Sequence, residues 1–198
     1  MGRNWFALAA AALMFVTVAS SLLSPWWRVE VGSGLLAVNV DPFLTSFSIL
    51  GTAYIVPIIL ALNVGTAALF IAGGIALIIY AINPAGKYSK HLLSFGWKRP
   101  LQVTAEFIVM LALSLYAAPA AINIIAHGAV APTPIVPFVG SSIIWLPSGV
   151  LNIPARVAVT ATATFTHSFF LGVVATALSI MARMWHRRIL GAEKVCSG

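Results

Sequence analysis

Five apolar runs dominate this chain: residues 5–23, 43–62, 66–82, 101–126 and 157–184. The hydrocarbon core of a bilayer takes about 20 helical residues, with a range of roughly 17–25, so each run is long enough or nearly so. Charged residues make up 8% of the 198, against about a quarter in a soluble domain. Mean hydropathy is +1.01. These features predict an all-α polytopic membrane protein: one membrane domain of about five transmembrane helices, with loops at 24–42, 83–100 and 127–156 and a basic tail at 185–198. They leave no room for a sizeable soluble domain. The single cysteine, Cys196, excludes an intrachain disulfide and a CxxC redox or zinc site.

The net charge of +7 is not a nucleic-acid footprint, because eight of the eleven Lys and Arg lie in two clusters beside apolar runs. Lys87, Lys90, Lys98 and Arg99 fill the 83–100 connection; Arg183, Arg187, Arg188 and Lys194 fill the tail. The positive-inside bias places both in the cytoplasm and the uncharged 127–155 stretch outside, for a multi-pass protein of the cell membrane. If both 43–62 and 66–82 span, Met1 lies outside. The alternative is four spans plus a re-entrant piece, since Pro57, Asn63, Gly65, Gly73 and Gly74 supply breaks.

Between the first two runs stands SPWWRVEVGSGLLAVNVDPF, Ser24 to Phe43. Trp26 and Trp27 suit the membrane interface. Arg28 to Val31 alternate polar and apolar, Gly32-Ser33-Gly34 is turn material, and Leu36 to Val40 is β-prone again. An isolated hairpin is marginal. The sharper expectation is a docking strand, with Trp26, Trp27, Val29 and Val31 contacting a partner chain; the plainer one is an ordered interfacial loop. A helix followed by a tryptophan-bearing β-like loop resembles the layout of claudin-type four-helix proteins. The paired cysteines and full tryptophan motif of that family are missing, so no fold or function is carried over from it.

Polar groups inside apolar runs are the candidate functional residues. Thr160, Thr164 and His167 are spaced i, i+4, i+7 and form one stripe if 157–184 is helical. His167 would then lie about 16 Å deep, a helix–helix hydrogen-bonding group or the one candidate haem b ligand. Its nearest counterpart, His127, sits on the order of 15 Å away in depth. Glu106 reads as a first-turn acid or a partner for Lys98 or Arg99. Tyr116, Asn123 and His127 share a face of the fourth run.

No GxGxxG, P-loop, HExxH or G-x-S-x-G motif is present. Small-residue faces such as ALAAAAL, TAALFIAGG and AAPAA favour close helix packing. The expected function is a non-catalytic membrane subunit that packs with other membrane subunits and lipid in a hetero- or homo-oligomer, without nucleic acid. The alternatives are a small transporter or channel component and a haem-bearing electron-transfer subunit.

Overall fold

A computed structural model describes residues 4–117, 136–146 and 157–196. Among these residues four helices carry the fold: α1 (Trp5–Ser21), α2 (Pro57–Ile82), α3 (Ser89–Ala112) and α4 (His167–Cys196). A π-helical turn, Leu113–Ala117, extends α3. The Asn4 side chain caps α1 by accepting from the Ala7 N–H, and Pro57 opens α2, where a missing N–H costs nothing. α1 packs on α2 and α4, and α3 packs on the same two, giving an up-down-up-down bundle.

Six strands form one antiparallel sheet at one end of the bundle: β1 (Trp27–Val31), β2 (Leu36–Val40), β3 (Ser46–Ile49), β4 (Thr52–Tyr54), β5 (Gly140–Leu146) and β6 (Val157–Phe165). Their order is β4-β3-β2-β1-β6-β5. The β1–β2 hairpin turns where the sequence predicts, with positive φ at Gly32, Ser33 and Gly34. Its register runs from Trp27↔Val40 to Val31↔Leu36. On its other side β1 pairs with β6, from Trp27↔Phe165 to Val31↔Ala161. The α1–α2 connection and the α3–α4 connection thus share one sheet.

This overturns the all-α, five-span expectation. Residues 43–62 are not a span: they supply β3, β4 and the first turns of α2, which continues unbroken through Asn63 and Gly65. The 157–184 run is strand over its first third, Val157–Phe165, and helix from His167 onward. Among the described residues only two helical stretches are long and apolar enough to cross a membrane, Pro57–Ile82 and His167–His186, while α1 is a shorter apolar helix. The basic 83–100 connection is mostly helix, because α3 starts at Ser89. Asn4 donates to the Ala182 carbonyl at 2.9 Å, so the start of the chain sits at the basic end, not across from it.

The core lies where the bundle meets the sheet. Trp26 is fully buried, its ring edge-on to Phe43, Phe107 and Phe169 at centroid distances of 5.8, 5.1 and 5.7 Å. A Cβ on Gly172 would lie 2.5 Å from that indole, so α4 approaches it only with glycine there. At the other end a Cβ on Gly96 would lie 2.6 Å from Leu77 and 3.1 Å from the Gly73 carbonyl oxygen, marking the closest contact of α2 with α3.

Candidate functional site

Among the described residues the edge strands of the sheet are β4 and β5. β1, expected as the docking strand, is instead central. Trp26, Trp27, Val29 and Val31 are all buried within the chain. Trp27 Nε1 donates to the Phe138 carbonyl at 2.8 Å, and Trp26 Nε1 to Ser21 Oγ at 3.0 Å. These tryptophans are junction core, not interface anchors. The exposed side of β1 shows an Arg28–Glu30 ion pair.

The apolar surface of the sheet gathers at the β3–β4 turn. Leu50 and Gly51 both have positive φ (50° and 80°), the pattern of a type I′ hairpin. Leu50 is 65% exposed, and Ile49 and Leu36 beside it are also exposed. A bulky residue in left-handed backbone is uncommon, and strain of this kind clusters at functional positions. The Leu50 N–H is held by the Leu35 carbonyl at 2.8 Å, so the β1–β2 turn braces the tip. Tyr54, Ile55 and Val56 continue the exposed apolar strip down toward α2.

Asp41 ties the sheet to α1. Its Oδ1 accepts from the N–H groups of Phe43 and Leu44 at 2.7 and 3.2 Å, and Oδ2 from the Trp26 N–H at 3.0 Å. Ser21 adds a side-chain hydrogen bond. Burial pushes the Asp41 carboxyl up to about 6, and these hydrogen bonds pull in the other direction without cancelling it.

Beneath the sheet, between α2 and α3, lies a mostly apolar cavity of about 550 Å³. Trp27, Val38, Asp41, Asn63, Glu106 and Phe107 are among its walls. Asn63 Nδ2 is buried there without a partner among the described residues. The walls suit an apolar chain bearing one hydrogen-bond acceptor.

The remaining sequence candidates scatter. Thr160 and Thr164 lie on the exposed face of β6, where alternation with period two places Thr162 beside them and buries Ala161 and Ala163. His167 is the first residue of α4 and exposed, so it is not packed between helices, and it shares no helical stripe with Thr160 and Thr164. Glu106 is exposed and far from the start of α3, not in its first turn. It accepts from Gln102 Nε2 at 2.7 Å, and Gln102 in turn accepts from Arg99 at 3.0 Å, so one glutamine bridges the acid to the expected arginine. Tyr116 is exposed in the π-helical turn. Asn123 and His127 lie outside the described residues. Sequence reasoning passed over Asp41 and Leu50 as site residues and took Asn63 only as a break, whereas α2 runs through it. The DPF turn signal pointed to the first of these; Leu50 had only the following glycine to mark it.

No family model matches the chain, and no curated protein matches it in sequence.

Proposed function

We propose that the chain is a non-catalytic integral membrane subunit whose bundle sits in the cell membrane and whose sheet docks a partner membrane protein. Membrane placement is supported by the outward faces of the helices. Ile58, Leu62 and Ile82 on α2, Met110 on α3, and Phe170 and Met184 on α4 are each more than half exposed. Water disfavours so extended an apolar surface, whereas lipid accepts it. The basic end then faces the cytoplasm and the sheet lies outside.

The observation that carries the docking role is the β3–β4 tip. β3 has four residues, which lifts Leu50 about 13 Å from the sheet–bundle junction, beyond the reach of hydrocarbon. An exposed leucine held in left-handed backbone at that height is explained by a protein surface that covers it. The open edge of β4 next to it offers backbone groups to a partner strand.

Leu50→Asn tests this. Asparagine tolerates positive φ, so the isolated chain should gain about 1 kcal/mol of stability. Native mass measurement of the particle released from its membrane in gentle detergent should give a mass above the 20.9 kDa of one chain, falling to that of one chain in the variant. A wild-type particle of one chain, or an unchanged particle in the variant, would reject the docking role. Alkaline carbonate should leave the protein in the membrane pellet; release into the supernatant would reject the membrane placement.

A further inference from the structure

The basic end of the bundle holds a site of a different kind. The Asn4 amide donates to Tyr80 Oη at 3.1 Å and to the Ala182 carbonyl at 2.9 Å, and Tyr80 Oη lies 2.9 Å from His186 Nδ1. Both amide protons are thereby placed, and Tyr80 Oη accepts one of them. The arrangement that satisfies the remaining groups has the Tyr80 hydroxyl donating to Nδ1, which leaves the imidazole proton on Nε2. His186 is 8% exposed, and Nε2 has no partner among the described residues. A buried unpaired donor is costly, and an acceptor oxygen supplied by a ligand removes that cost.

His186 lines a cleft of about 180 Å³ together with Lys90, Leu93, Ser94, Trp97 and Arg183. Lys90, Arg183 and the Ser94 hydroxyl can all donate there. No carboxylate is among the described lining. Arg183 lies over the Trp97 ring, 4.2 Å from its centroid, which fixes a planar fork of donors beside the cleft. Lys90 stands in the first turn of α3, which contains no acid and has no side-chain N-cap, so the positive helix end adds to the same field. A hollow of about 620 Å³ shares Trp97 and Arg183 with the cleft; Phe6, Ile180, Met181, Met184 and Trp185 form the rest of its wall.

We propose that these two hollows together bind an anionic phospholipid. The phosphate accepts from His186 Nε2–H, Lys90 and Arg183, and an acyl chain lies along the methionine-lined groove. Phosphate is matched by the donor-only lining, and the adjoining groove points to a lipid as its source, since a free phosphate has no use for it. The lipid source rests on the membrane placement proposed above, and carbonate extraction tests that placement separately.

The test uses the full chain in neutral detergent, read by its thermal unfolding midpoint against added phosphatidylglycerol, phosphatidylcholine or inorganic phosphate. Phosphatidylglycerol should raise the midpoint in a saturable manner and phosphatidylcholine should not. In Lys90→Gln/Arg183→Gln the half-saturating concentration of phosphatidylglycerol should rise about tenfold or more, through loss of charge-assisted hydrogen bonds. Both side chains are exposed, so the double variant should fold like the parent. Met184→Glu, also at an exposed position, should weaken the phosphatidylglycerol response through the groove alone. An equal response to phosphatidylcholine, or an unaltered phosphatidylglycerol response in the double variant, would overturn the proposal. Inorganic phosphate reproducing the whole shift, with Met184→Glu indistinguishable from the parent, would overturn the lipid source.

Discussion

Trp26→Ala is expected to lower the unfolding midpoint of the purified protein on the order of 10 °C, corresponding to about 3–5 kcal/mol for a large buried aromatic. The indole is fully buried and touches rings from three places in the chain: Phe43 before β3, Phe107 on α3 and Phe169 on α4. The truncation therefore empties the point where sheet and bundle meet. It also removes the Nε1–H donor to Ser21. Gly172 provides the close approach of α4, and a helix backbone is too stiff to collapse into the space. Trp26→Phe should recover much of the loss, because most of the volume returns without the N–H. Trp5→Ala is the control: Trp5 is 68% exposed, and its removal should change stability by no more than about 0.5 kcal/mol. Equal losses at Trp5 and Trp26 would show that the junction is not the core.

Asp41→Ala should cost about 2–4 kcal/mol at neutral pH, since three backbone N–H groups lose their acceptor in a buried turn. The pH dependence has a definite sign. The folded carboxyl titrates near 6, above its ordinary value of 3.8, because burial disfavours the charged form. The folded state therefore binds this proton more tightly than the unfolded state. The linked stability is fully present below about pH 4 and is lost as pH rises through about 6. The span of about two pKa units corresponds to at most about 3 kcal/mol. Unfolding midpoints compared at pH 5 and pH 7.5 should thus favour the acidic sample more in the parent than in Asp41→Ala. A parent and variant with parallel pH profiles would show that Asp41 does not carry this linkage.

Much of the local structure was legible. The turn at Gly32-Ser33-Gly34 and the strands on either side follow from alternation and glycine placement. The first helix and most of the apolar stretch of α2 follow from length and hydropathy. The basic clusters lie at one end of the bundle, where α3 begins and the later turns of α4 run. The VAVTATATF stretch was misread. Thr160 and Thr164 fit helical spacing with His167, yet the threonines also alternate strictly with alanine, and the period-two reading is the one the fold adopts. The two periodicities compete in a run this short, and nothing within it decides between them. The same ambiguity turned β3 and β4 into a supposed span.

By itself, then, the sequence determined where apolar surface lies, which end is basic and where the chain can turn. The tertiary structure alone decided that β1 has a second neighbour 130 residues away, in β6, so that its valines and tryptophans became core instead of a docking edge. It also decided that Asn4, Tyr80 and His186 meet, and that Leu50 is displayed at the far tip of the sheet. The physical reason is common to all three. Apolar content within one segment reports that it must be covered, but what covers it is chosen by pairing between segments far apart in sequence, through strand registers and hydrogen bonds that no local window contains.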